Sequence, residues 1–181
     1  MGEHRKELES GSRFAFGSNW AGFLEILDDS RVAEAEISLT KALDSENFEG
    51  KLFMDVGCGS GLFSLAARRL GAEVVSIDFD PDSVKCTNEL KSRFYPDDTS
   101  WKVIEGSALD EEFLNKLPHA DIVYSWGVLH HTGDLWRALG NVAKKTRHGG
   151  RIYIALYNDQ GTASDLWLVI KKAYNLSLIH I

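Results

Sequence analysis

Residues 52–62, L-F-M-D-V-G-C-G-S-G-L, constrain this chain more than any other stretch. The apolar run of Leu52, Phe53, Met54 and Val56 is long enough for a buried strand, and it meets glycines at alternate positions, Gly57, Gly59 and Gly61. Directly afterwards Leu62, Leu65, Ala66 and Leu70 recur at helical spacing. A strand, a glycine turn and a helix open the α/β folds that bind nucleotides. Glycine suits such a turn because it tolerates positive φ and because a missing Cβ lets a ligand lie against the backbone.

The spacing narrows the ligand. A dinucleotide fingerprint reads G-x-G-x-x-G/A; counted from Gly57 the sixth position is Leu62, and counted from Gly59 it is Ser64. The chain instead carries acidic-x-G-x-G-x-G, with Asp55 two residues before the first glycine. This form resembles the first motif of the class I S-adenosylmethionine (SAM)-dependent methyltransferases. The plainer alternative is a strand–helix turn that holds no ligand.

At 181 residues the chain can bury one real core, and 44% apolar with 26% charged residues is an ordinary globular balance. A net charge of −7 weighs against a large nucleic-acid footprint, which needs a basic surface. Two cysteines, Cys58 and Cys86, form neither a disulfide framework nor a zinc spacing, so no metal is expected and a reduced, cytoplasmic compartment fits. The charged start M-G-E-H-R-K has no signal-like apolar region, and no apolar run approaches the length of a membrane span.

In chain order, residues 1–45 read as an N-terminal extension and helical cover. Phe14, Phe16, Trp20 and Phe23 either cover an edge of the core or form a lid. Val32, Ala35, Leu39 and Leu43 make a helical stripe over 31–43, with Asp28, Asp29 and Ser30 as candidate N-caps. Residues 46–175 read as the ligand-binding domain. Strands are expected at 73–78, 101–105, 120–125 and 151–157, the last after Gly149-Gly150 closes the preceding region. One helix starts at Asp80-Pro81, with Val84, Thr87, Leu90 and Phe94 on one face; a short one covers 111–117. Another starts at Asp134, with Leu135, Leu139, Val142 and Ala143 inward, and a further one covers 162–174. Trp101, Trp136 and Trp167 are expected in the core. Strands alternating with helices predict a Rossmann-like parallel α/β sheet with helices on both faces. The family resemblance adds two more strands, the last antiparallel, and the chain stops where they would begin. The last strands are therefore expected to be missing. The ending S-L-I-H-I resembles translated sequencing-adapter read-through, so 176–181 reads as a foreign or disordered tail.

Ligands of open α/β sheets bind beyond the carboxyl ends of the strands. Asp78, closing the second strand, can accept both hydroxyl protons of a ribose, in an NAD site as well as a SAM site. The resemblance implies cofactor contacts from Asp55, Gly57, Cys58, Gly59 and Gly61, then from Asp78 and Phe79, with Asp55 holding the ammonium. It adds Ser107 and Ala108, then Ser125, Trp126 and Gly127. Where the family often has an acid this chain has Ser107, a weaker neutral acceptor; Asp110 is either a compensating contact or a helix cap. The stretch 124–134, Y-S-W-G-V-L-H-H-T-G-D, resembles the fourth motif in the V-L-H-H form of quinone-, sterol- and other small-molecule methylases. His130 or His131 could take a proton from an acceptor hydroxyl.

The resemblance implies SAM as cofactor and in-line methyl transfer to a small-molecule acceptor, without a nucleic-acid partner. Two other classes stand beside it: an NAD-dependent oxidoreductase, disfavoured by the absent fingerprint, and a catalytically silent SAM-binding module. The acceptor atom and the oligomeric state are not legible in the sequence.

Overall fold

The computed structural model describes Leu24 and residues 26–157. Phe14, Phe16, Trp20 and Phe23, the helix expected over 162–174 with its Trp167, and the tail at 176–181 lie outside the described residues.

Helix α1, Asp29–Leu43, starts where the Asp28 carboxylate accepts the Arg31 backbone N–H at 2.9 Å, so the first of the candidate caps is the cap. It buries the expected stripe of Val32, Ala35, Leu39 and Leu43. Then follow β1 (Leu52–Val56), α2 (Leu62–Arg69), β2 (Glu73–Asp78), α3 (Pro81–Phe94), β3 (Trp101–Glu105) and α4 (Glu111–Asn115). The described chain ends with β4 (Ala120–Trp126), a 3-10 turn (Leu129–His131), α5 (Leu135–Ala143) and β5 (Thr146–Ala155). The strands form one sheet in the order β3-β2-β1-β4-β5, with every neighbouring pair parallel. This is the Rossmann-like architecture that the alternating pattern predicts.

Period-two alternation assigns the layers. Phe53 faces α1, α2 and α3, in a core with Leu39, Leu65, Leu90 and Trp101. Met54 and Val56 face the opposite side, with Leu114 of α4 and Val142 of α5. Each such fully buried side chain stabilises the fold by about 1.5–3 kcal/mol. No helix among the described residues is long and apolar enough to cross a membrane.

Several local expectations shift. Gly149 and Gly150 do not precede β5 but lie inside it, where the pairing with β4 slips between Ala120 and Ile122. Gly149 has φ +79°, and a Cβ on Gly150 would sit 2.8 Å from the Asp121 carbonyl, so the bulge requires both. Regular pairing resumes at Arg151, opposite Ile122. Helix α4 stops at Asn115, two residues early. The buried face of α3 is Ser83, Cys86, Thr87 and Leu90, while Phe94 is exposed, because Thr87 turns towards the glycine turn. On α5, Ala138, Asn141 and Val142 are buried and Ala143 is exposed. Trp136 is 76% exposed, whereas Trp101 is core as expected. Trp136 stands one residue past Leu135, about 100° around the helix from the inward stripe.

Candidate active site

Beside β1 the sheet order reverses, and there the carboxyl ends of the strands open a cavity of about 430 Å³. That is the switch point where doubly wound sheets receive ligands, and the volume falls within the roughly 300–1,000 Å³ of small-molecule sites.

The glycine turn forms one wall. Backbone N–H groups of Gly57 and Cys58 both donate to the Ile77 carbonyl, at 2.7 and 3.0 Å, and draw the turn over the end of β2. Gly57 has φ +81°, and a Cβ there would lie 2.4 Å from both methyls of Val128, so glycine alone lets the loops after β1 and β4 meet. Gly61 has a different job. It begins α2 with φ +80°, its Cβ would strike Thr87 at 2.8 Å, and it does not line the cavity. Thr87 clamps the turn from α3: its hydroxyl donates to the Gly59 carbonyl at 3.1 Å and lies 3.3 Å from Cys58 Sγ. Burial pushes the Cys58 thiol well above its ordinary range, with the Asp78 and Asp55 charges adding to it, which keeps it protonated.

Two carboxylates face this wall. Asp78 accepts the Gly59 N–H through Oδ2 and the Asp80 N–H through Oδ1, each at 2.9 Å. Burial nevertheless pushes its carboxyl up to about 6. Asp55, buried within β1, accepts the Ser64 hydroxyl at 2.6 Å through Oδ2. Burial pushes it up to about 7; the Ser64 bond works against this, and the Asp78 charge adds to it. Two acids of like sign on one cavity wall, Asp55 buried and Asp78 partly so, favour a ligand that brings positive charge and hydroxyl donors.

Phe79, just beyond β2, and Ser107 and Ala108, beyond β3, line the cavity. The Ser107 hydroxyl oxygen accepts the Leu109 N–H at 3.1 Å, which leaves one lone pair to act as the neutral acceptor that the sequence suggests. Asp110 accepts the Phe113 N–H at 2.9 Å as the cap of α4 and does not line the cavity.

Beyond β4, Trp126 and Gly127 line the cavity. The Trp126 ring, 44% exposed, stacks on Phe63 at 5.8 Å and on Tyr153 at 6.1 Å. Ser125 turns away and donates to the Val56 carbonyl at 2.8 Å. His131 and Tyr157 line the mouth, but His130 does not. The His130 ring lies 4.0 Å from that of His131 and 4.8 Å from that of Tyr157, and neither of its buried ring nitrogens has a hydrogen-bond partner among the described residues. Burial lowers the pKa of both histidines, His131 further by its neighbour, so both are neutral at neutral pH.

The cavity therefore collects the expected Asp55, Gly57, Cys58, Gly59, Asp78, Phe79, Ser107, Ala108, Trp126, Gly127 and His131, and leaves out Gly61, Ser125 and His130. Sequence reasoning missed Thr87, Val128, Phe63, Tyr157 and a buried polar set, Ser64, Ser76 and Trp101. The legible signal was a serine inside each of two apolar runs, Ser64 in α2 and Ser76 in V-V-S-I.

A family profile described as a methyltransferase domain matches residues 54–152, from the core of β1 into β5. A ribosomal protein L11 methyltransferase of Tolumonas auensis is 44% identical over 52 residues, 28% of this chain and 18% of that protein. A ubiquinone biosynthesis O-methyltransferase of Pseudomonas fluorescens is 28% identical over 135 residues, 74% of this chain and 55% of that one. This chain thus spans about a fifth and about half of the two curated relatives. Among solved structures, a putative SAM-dependent methyltransferase of Methanococcus maripaludis shares the fold with a TM-score of 0.66 at 17% identity, over 92% of this chain and 77% of that one. The chain belongs to the methyltransferase-domain family.

Proposed function

We propose that this chain binds SAM in the cavity and transfers the methyl group to a small-molecule acceptor by in-line displacement. The observation that carries the reading is the pairing of a glycine turn too tight for a Cβ at Gly57 with two cavity-facing carboxylates, Asp55 and Asp78. SAM fits that acceptor set: its ammonium and ribose hydroxyls are what two cavity-lining acids of like sign can accept. When bound, SAM supplies a methyl carbon activated by a sulfonium.

The chain's own part is positioning. Asp78 accepts from the ribose, Phe79, Ser107 and Ala108 flank the adenine, and Asp55 with Gly57 and Gly59 holds the amino-acid end. Trp126 and Gly127 border the reacting end, where His131, neutral at the mouth, takes the acceptor's proton. The small-molecule acceptor is supported by the long match to the ubiquinone O-methyltransferase, against a match to the L11 enzyme confined to 52 residues. It also supports placing the chain near the quinone-methylase branch. The net charge of −7 weighs against a polyanionic acceptor.

The test is isothermal titration with SAM and S-adenosylhomocysteine, with NADH as control. Micromolar binding of the sulfur compounds and none of NADH is expected; NADH binding would replace the reading with a dehydrogenase.

A further inference from the structure

Behind Asp55, buried in the apolar layer under α2 and α3, lies an unbroken line of polar atoms. Trp101 Nε1 is 2.8 Å from Ser76 Oγ, Ser76 Oγ is 2.7 Å from Ser64 Oγ, and Ser64 Oγ is 2.6 Å from Asp55 Oδ2. Ser64, Ser76 and Trp101 are wholly buried, and they come from α2, β2 and β3. With Asp55 ionised, chemistry fixes the direction of every bond. An indole N–H can only donate, so Ser76 accepts from Trp101. Ser64 gives its single hydrogen to Asp55, so the hydrogen between the two serines belongs to Ser76. Each hydroxyl donates once and accepts once, and the line runs one way, into the carboxylate. Asp55 Oδ1 takes no part in it, and Asp55 lines the cavity.

We infer that Ser64, Ser76 and Trp101 are positioning residues: their one-way relay holds Asp55 by Oδ2 and presents Oδ1 to the cavity, so that a cationic group taken up there displaces a proton. The charged and titratable groups facing Asp55 agree with this. The Asp78 charge from β2 adds to the burial that raises its pKa, and Tyr124 from β4 and Cys58 from the glycine turn, raised first by their own burial, are pushed further by the Asp55 charge. The relay is the influence that favours the ionised form, against burial that disfavours it. A full set of satisfied bonds also explains how two serines sit in an apolar layer without penalty.

The relay can be tested without any ligand, so its fate is separable from that of the SAM reading on which its cation arm rests. Carboxyl-carbon NMR of the full chain would follow the titration of Asp55. Ser64→Ala should move the midpoint upward by about one pH unit, Ser76→Ala by less and Trp101→Phe least, because each acts from one bond further away. Thermal stability should follow a different order, with Trp101→Phe losing most, since it empties the most buried volume. An Asp55 midpoint unchanged in Ser64→Ala overturns the relay; if that variant does not fold, Ser76→Ala decides in the same way. A midpoint shift that tracks stability loss instead of distance along the line also overturns it. Calorimetry with S-adenosylhomocysteine in two buffers of different ionisation enthalpy then tests the cation arm. Close to one proton should be released near pH 6 and almost none near pH 9, in keeping with a carboxyl that loses its proton to the ligand's charge. Binding without proton release overturns that arm and leaves the relay; no binding at either pH overturns the SAM reading.

Discussion

The wall built by β1 and β2 and the mouth built by β4 belong to one cavity but follow opposite rules. On the wall, polar groups are tied down: Asp78 by two backbone N–H groups, Asp55 by Ser64, and the glycine turn by Thr87 and Ile77. At the mouth, Trp126 and Tyr157 are 44% and 70% exposed, and just behind it His130 buries two nitrogens that find no partner among the described residues. A wall ordered in advance loses little entropy when it meets a ligand of fixed shape. A mouth of exposed rings gains its order from whatever enters. The contrast fits a cofactor common to a family on one side and an acceptor particular to this chain on the other.

Breaking the wall should have the largest effect. Gly57→Ala meets Val128 at 2.4 Å and forces φ +81° on a residue with a side chain. The strain alone costs about 1–2 kcal/mol, and the contact adds to it. SAM binding by calorimetry should fall below detection. Adding Val128→Ala should restore part of it, since the collision goes and the backbone strain stays. Wild-type affinity in Gly57→Ala would mean that the wall is not rigid.

Breaking the mouth should separate turnover from binding. His131→Ala should lower kcat by roughly 100-fold, the low end for loss of a general base, with the SAM dissociation constant unchanged. A parallel loss of SAM affinity would merge the two regions and remove the contrast.

Asp55→Asn sharpens the comparison through pH. The folded pKa of Asp55 is raised from 3.8 to about 7, so its contribution to stability is present below pH 3.8 and is lost as pH rises through about 7. Asn escapes that loss while its carbonyl can still accept from Ser64. The ligand-free variant should therefore match wild type near pH 4 and exceed it above pH 7, by on the order of 1–3 kcal/mol, as thermal melts would read. Its SAM affinity should fall at the higher pH. A variant less stable than wild type at pH 8 would show that the ionised acid is supported by something besides the relay.

The same contrast governs what the sequence made legible. Gly57, Gly59 and Asp78 could be read because strand, turn and acid are set by spacing within a few residues. Thr87, the Ser64–Ser76–Trp101 line and the Phe63–Trp126–Tyr153 stack could not, because each is a meeting of distant segments decided by how helices lie on the sheet. At Gly61 the spacing suggests a ligand contact, and the structure adds a packing reason for the glycine, the approach of Thr87 from α3. Trp136 missed the core by a single helical position. For the histidines, adjacency alone left two rotations open, and the 3-10 turn at Leu129–His131 places only one of them on the cavity.

That choice yields the smallest effect and the cleanest separation. His130 holds two buried nitrogens with no hydrogen bond among the described residues, and its ring lies against His131 and Tyr157. Replacing a buried unsatisfied polar ring by an apolar ring of similar shape removes a desolvation cost, so His130→Phe should gain about 1 kcal/mol or less. The gain has a pH signature. Burial lowers the folded pKa of His130 below 6.5, so wild type loses stability as pH falls below that value, and the variant does not. Thermal melts should thus diverge more near pH 5 than near pH 8, while turnover stays close to wild type. If His130→Phe instead lost turnover as His131→Ala does, the acceptor would be the partner that its nitrogens lack. The boundary between packed wall and reactive mouth would then run behind His130, not in front of it.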